Sequence, residues 1–124
     1  MTALLDDELR GEAECRLVTT GRRSGQPREI SIWFAGVEDH LIMLAGGREQ
    51  AHWVRNLMAE PRVQVGIGSR MFEGRAKVVE GEADDAAARS AIAGKYGTKW
   101  LQRWLRESPP VRIDLEREVT SAGA

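Results

Sequence analysis

Apolar and polar residues alternate along much of this chain, and the alternation predicts mostly short β-strands. The first predicted strand is Cys15–Thr20, which is rich in aliphatic and β-branched residues. The next is Glu29–Gly36, where Ile30, Ile32 and Phe34 alternate with residues of a different character. A period of two is typical of a strand that turns one face toward a core.

The rest of the chain mixes strand-like and helical spacing. Gln50–Glu60 has helical spacing, with Trp53 and Leu57 four residues apart, and Pro61 ends the predicted helix. Residues Asp84–Tyr96 are alanine-rich and begin with acidic residues suited to a helix N-terminus. The remaining predicted elements are a buried strand at Leu41–Ala45, a hairpin of Arg62–Gly68 with Met71–Glu80, an amphipathic helical stripe at Thr98–Leu105 and a closing strand at Val111–Leu115.

The predicted order is βββαββαβ, which favours a small, largely antiparallel barrel of the mostly β (α+β) class with helices packed outside. We predict one domain over residues 1–124, with a short helix or lead-in at 1–14 and a polar tail at 117–124. No G-x-G-x-x-G element opens a helix and no G-x-x-x-x-G-K-[ST] loop is present. The common nucleotide-binding motifs are therefore excluded.

Composition limits the classes of partner and the compartment. The chain has 124 residues, 42% of them hydrophobic, and a net charge of −1, so a surface that binds nucleic acid or membrane throughout is not expected. Cys15 is the single cysteine, and neither a signal-like pattern nor an apolar run of about 18 residues appears. We predict a cytoplasmic protein without a membrane span.

The connection between the first two strands concentrates positive charge. Within Gly21–Arg28, hereafter the basic turn, lie three arginines (Arg22, Arg23 and Arg28), one hydroxyl and two glycines whose backbone N–H groups can approach a ligand closely. Arginine supplies permanently charged, bidentate donors for phosphate. The alternative is a solvent-exposed loop that binds no ligand. Arginines beside glycines in a turn are, however, typical of an anion-binding site.

A family resemblance follows from this turn. The run Thr19–Arg28 is similar to the phosphate-binding turn of the deazaflavin-dependent nitroreductase and quinone reductase family, split β-barrels that use coenzyme F420. Later segments resemble landmarks of that family and of the wider flavin-binding split-barrel superfamily, across roughly residues 15–81. These are Ile32-Trp33-Phe34, Gly46-Gly47, Ala51-His52-Trp53 leading to Asn56-Leu57, and Glu60-Pro61-Arg62-Val63.

The resemblance implies a set of site residues. It makes Arg23 and Arg28 the phosphate-facing pair, leaves Arg22 facing solvent, and places Trp33 beside the cofactor ring. The other predicted cofactor contacts are Ser24, Gly25, Ser31, Ala45, Gly46, Gly47, Arg48, Gln50 and Trp53, and the predicted substrate contacts are Tyr96 and Trp100. A helix beginning after Gly47 would supply a second anion site, aided by Arg48.

Other reactive groups do not form a recognisable catalytic set. His40 and His52 lack neighbouring ligands at metal-binding spacing, so no metal is predicted, and Cys15 is expected to be a small core residue. Few acid–base groups are needed when a cofactor carries the reactive atom. The resemblance therefore implies an oxidoreductase that transfers a hydride from reduced F420 to an electron-poor acceptor such as a quinone, nitroaromatic or activated alkene.

Several alternatives remain open at this point. FMN is the alternative cofactor, although flavin-binding relatives often carry a lysine near the position of Gln50. A non-enzymatic flavin or tetrapyrrole carrier and, less favoured, a nucleic-acid-binding barrel are the other classes. Four tryptophans in 124 residues exceed what one small core readily hides, so we predict a homodimer.

Overall fold

The computed structural model describes residues 4–44, 52–97 and 109–119. Within them the chain forms a short N-terminal helix, seven strands and two longer helices. In chain order these are α1 (Asp7–Arg10), β1 (Cys15–Thr20), β2 (Pro27–Ile32), β3 (Ala35–Val37), β4 (His40–Leu44), α2 (His52–Ala59), β5 (Arg62–Ile67), β6 (Arg70–Val78), α3 (Glu82–Tyr96) and β7 (Pro110–Val119).

All seven strands belong to one antiparallel sheet in the order β2-β1-β5-β6-β7-β4-β3. β2 and β3 occupy opposite edges of this sheet, yet only Trp33 and Phe34 separate them in sequence. Ile32 and Ala35 are three residues apart and can be separated by at most about 11 Å, so the sheet must curl until its edges approach each other. The result is the predicted split barrel, and Trp33 lies at its seam.

The two longer helices pack on different faces of the curled sheet. Val54 and Leu57 of α2 join the main core, which contains Leu17, Phe72 and Ile113. α3 covers the other face of β3, β4 and β7 through a smaller cluster of Ala35, Ile42, Leu44, Ala88 and Ile92. The main core thus fixes α2 beside β1, which brings the helix next to the basic turn.

Most predicted elements are confirmed, with three corrections. The predicted strand Glu29–Gly36 is wrong as one element. The chain pairs with β1 as far as Ile32, and it pairs with β4 from Ala35 onward. The closing strand continues to Val119, so the predicted polar tail does not begin at residue 117. It extends because Met71 and Phe72 of β6 pair with Val119 and Glu118 beyond a register shift. The helix predicted from Asp84 begins earlier, at Glu82.

The predicted helical stripe at 98–105 and the Gly46-Gly47 turn lie outside the described residues. No helix in the described part of the chain is long and apolar enough to cross a membrane.

Candidate functional site

Short-range hydrogen bonds fix the backbone of the basic turn. The Gly21 N–H donates to the Gln26 carbonyl at 2.8 Å, and the Gly25 N–H donates to the Gly21 carbonyl at 2.8 Å. Gly25 has a φ of 71°, a left-handed conformation that glycine adopts without strain. A Cβ added at Gly21 would lie 2.7 Å from Ser24 Oγ. The shape of the turn therefore favours glycine at both positions.

Asn56, on α2, anchors this turn to the barrel. Its side chain is 5% exposed, and its Oδ1 accepts from the Arg22 backbone N–H at 3.2 Å and from Arg22 Nη1 at 2.8 Å. Asn56 Nδ2 donates to Thr19 Oγ1 at 3.4 Å. The prediction that Arg22 faces solvent is wrong, because Asn56 draws its guanidinium inward. In the sequence, Asn56 stands out only as part of a family landmark.

A cleft of about 430 Å³ separates the basic turn from the start of α2. The guanidinium groups of Arg23 and Arg28 have neither an ion pair nor a hydrogen bond within the described ranges. Two permanently charged forks beside a fixed backbone form a preorganised site for an anion. The cleft is lined by Thr19, Gly21, Arg22, Arg23, Ser24, Arg28, His52, Trp53 and Asn56.

An aromatic pair, the exposed Trp33 and the half-buried Tyr96, lies at the barrel seam. The Trp33 ring is stacked on the Tyr96 ring, with centroids 4.5 Å apart and planes within 10°. The Tyr96 hydroxyl contacts the Phe34 carbonyl at 2.9 Å and the Ala13 carbonyl at 2.6 Å, and it accepts from the Phe34 N–H at 3.1 Å. Burial raises the pKa of this hydroxyl. Trp33 remains 37% exposed.

The two parts of the candidate site lie at opposite ends of the edge strand β2. Arg28 and Trp33 are five residues apart, which corresponds to roughly 16 Å at the rise of an extended strand. Ser31 lies between them and is exposed. This geometry suits an elongated ligand that has an anionic group at one end and a flat ring at the other.

The structure brings together only part of the predicted site. Arg23, Ser24, Arg28 and Trp53 share the cleft. Among the described residues, Gly25, Ser31 and Trp33 do not line it, because Gly25 turns toward the outer face and the other two lie further along β2. Ala45, Gly46, Gly47, Arg48, Gln50 and Trp100 lie outside the described residues.

Comparison with known sequences decides the family. A family model described as F420H(2)-dependent quinone reductase matches residues 5–116. The chain belongs to the F420H(2)-dependent quinone reductase family. The F420H(2)-dependent quinone reductase of Mycobacterium tuberculosis is 34% identical over 101 residues, covering 78% of this chain and 68% of that protein.

Membership of the F420H(2)-dependent quinone reductase family confirms three predictions. The protein is an oxidoreductase, its cofactor is coenzyme F420, and its acceptors are quinone-like. The FMN-dependent and non-enzymatic alternatives are not favoured.

Solved structures confirm the split-barrel fold. An F420-H2-dependent reductase, FDR-A, superposes with a TM-score of 0.66 at 24% identity, covering 94% of this chain and all of the other. The haem storage protein HutZ from Vibrio cholerae superposes with a TM-score of 0.74 at 16% identity, covering 89% of this chain and 87% of HutZ. At these identities the likeness shows the fold alone.

The residues present fit a cofactor with a phosphate and a flat ring. Arg23 and Arg28, which have no side-chain partner among the described residues, supply phosphate donors, and the partly exposed Trp33 supplies an aromatic surface. Across the described ranges, no group of three or more His, Cys, Asp or Glu residues is placed to hold a metal ion.

Cys15 offers a direct test of the packing beneath the site. Its side chain is 2% exposed, and burial raises the pKa of the thiol to about 12. Because the thiolate is the reactive form, we expect the native protein to resist a thiol-reactive dye at pH 8 for as long as it stays folded. Addition of urea above the unfolding midpoint should release one reactive thiol per chain. Rapid labelling of the native protein would contradict this packing.

Proposed function

We propose that this chain transfers a hydride from reduced F420 to a quinone, with the cofactor's phosphate bound at the basic turn. The observation that carries the proposal is the pair of guanidinium groups of Arg23 and Arg28, which lack partners in the described part of the chain and lie on a turn whose backbone is already fixed. Binding there requires little reordering, because Asn56 holds the turn before the ligand arrives.

The protein's own groups position and shield the reactants. Arg23 and Arg28 hold the phosphate, and Ser31 and Trp33 line the path along β2 toward the ring. Bound reduced F420 supplies the hydride itself. The segment 45–51, with Gly46, Gly47, Arg48 and Gln50, completes the cofactor site in this proposal, and Trp53 closes the cleft from α2.

The acceptor lies near the aromatic pair in this proposal. The Tyr96 hydroxyl is engaged by the Phe34 and Ala13 backbone, so Tyr96 contributes its ring rather than a proton. Trp100 is proposed to extend the same apolar surface. A flat aromatic surface suits quinones, and the same surface accepts nitroaromatics and activated alkenes as alternative acceptors.

Anaerobic turnover tests this function. Reduced F420 is mixed with the purified protein and a soluble quinone such as menadione, and the return of oxidised F420 fluorescence is recorded. We expect rapid, protein-dependent reoxidation of reduced F420, and no protein-dependent increase in rate when reduced FMN replaces it. Equal rates with and without protein would contradict the proposed function.

We further propose that the enzyme is a cytoplasmic homodimer. The single buried thiol of Cys15 suits a reducing compartment, and the partly exposed Trp33 supplies aromatic surface for an interface. One solved structure of the same fold, at 22% identity and a TM-score of 0.68, is a domain-swapped dimer. Light scattering at micromolar concentration should give about twice the chain mass of 13.8 kDa. A mass of one chain would exclude the dimer.

A further inference from the structure

Two arginines face each other on the outer face of the sheet, away from the main core. Arg62 of β5 is directly opposite Arg75 of β6 in the antiparallel register, so both side chains leave the same face. Both are exposed. Like charges placed directly opposite each other destabilise a strand pair.

The side chains of Arg62 and Arg75 have no ion pair or hydrogen bond within the described residues, 4–44, 52–97 and 109–119. Their charges are therefore not neutralised by that part of the chain. Other arginines on the neighbouring strand β7 are paired. Arg112 Nε binds Asp114 at 2.7 Å, and Arg117 Nε binds a carboxylate of β6 at 2.9 Å. Asp114 lies opposite Arg75 on β7, but its carboxylate is already bound by Arg112. An anion between the two guanidinium groups would therefore relieve the repulsion within the facing pair.

The facing pair lines a groove of about 380 Å³ that reaches the basic turn. Gly25 and Pro27 from the turn line the same groove. Glu73 and Glu116 are the carboxylates that line it, and Glu73 is already bound by Arg117. Because Arg117 neutralises Glu73, the charges left on the lining are those of Arg62, Arg75 and Glu116, and their balance is positive by one charge.

The basic turn separates this groove from the cofactor cleft. Thr19 lines both, and the turn contributes Arg23 and Arg28 to the cleft but Gly25 to the groove. A Cβ added at Gly25 would meet nothing within 4 Å, so the rim is open at that point. An anionic chain that leaves the cleft over Gly25 enters the groove.

We propose that Arg62 and Arg75 form a second anion-binding site, specific for a phosphate or carboxylate group. Such a group could come from either of two ligands: the distal part of the cofactor's anionic tail, or a separate anion. The first source rests on the proposed function, whereas the second is independent of it.

An NMR titration of the ¹⁵N-labelled full chain with sodium tripolyphosphate at low ionic strength locates the site. We expect the side-chain Nε–Hε signals of Arg62 and Arg75 to shift together along one saturable curve. The double variant Arg62→Gln/Arg75→Gln should bind tripolyphosphate about fivefold to thirtyfold more weakly, as expected for the loss of two exposed charge contacts.

Lys77→Gln is the matched control, because Lys77 is an exposed cation two residues from Arg75 that does not line the groove. It should change the affinity less than twofold. Absence of shifts at Arg62 and Arg75, or an equal loss in Lys77→Gln and the double variant, would overturn the site. The latter result would indicate diffuse attraction by surface charge.

Titration of the same variants with F420, followed by ring fluorescence, separates the two sources. Weaker F420 binding in the double variant alone assigns the site to the cofactor's tail. Unchanged F420 affinity, with tripolyphosphate binding lost, assigns it to a separate anion. If the parent protein fails to bind F420, the proposed function fails, and the tripolyphosphate titration still decides the site.

Discussion

Replacement of Arg28 by alanine is expected to weaken F420 binding about tenfold to hundredfold. The change removes a charge-assisted contact to phosphate worth roughly 1.5 to 3 kcal/mol. Stability should hardly change, because Arg28 is exposed and has neither an ion pair nor a hydrogen bond within the described part of the chain. Fluorescence titration gives the affinity, and a thermal melt checks the fold.

The matched control for Arg28→Ala is Lys77→Ala, an exposed cation away from the cleft. Both variants lose one positive charge, so any difference between them reports local contact rather than net charge. Equal F420 affinities for the parent and Arg28→Ala would mean that the basic turn is only a solvated loop.

Asn56→Ala should have the second largest effect, on both stability and cofactor affinity. It leaves the Arg22 backbone N–H and guanidinium without their acceptor, at an expected cost of about 1 to 3 kcal/mol in the free energy of unfolding. The freed turn must then be reordered on binding, which costs roughly 0.5 to 1.5 kcal/mol or about twofold to tenfold in affinity. Urea unfolding and F420 titration measure the two effects.

Leu57→Val is the control that separates the effect of Asn56→Ala on stability from its effect on F420 affinity. Leu57 is the adjacent fully buried residue of α2, and trimming it costs about 1 kcal/mol of stability without touching the turn. We expect lower stability but unchanged F420 affinity. If Asn56→Ala also leaves the affinity unchanged, Asn56 has only a structural role.

Local sequence signals predicted the strands and the basic turn well, because alternation and turn residues act over a few neighbours. The split at Trp33 and Phe34 carried no such signal, since the alternation of Ile30 and Ile32 continues into Phe34. What interrupts the strand is a change of partner from β1 to β4. That change depends on the closure of the whole sheet.

The sequence contains a weak indication that Asn56 makes a buried hydrogen bond. Asn56 lies on the same helix as the buried Val54 and Leu57, so a polar side chain next to apolar positions indicates a buried hydrogen bond. Its partner, Arg22, lies 34 residues away, and only the packing of α2 beside β1 brings them together. The facing of Arg62 and Arg75 likewise depends on the register of β5 and β6.

The central claim is that this chain binds F420 in preference to FMN, and parallel titrations of the purified protein with both cofactors under identical conditions test it most directly. Quenching or polarisation of ring fluorescence gives both dissociation constants. We predict saturable F420 binding that is at least tenfold tighter than FMN binding. Binding of FMN as tight as or tighter than F420 would contradict the account.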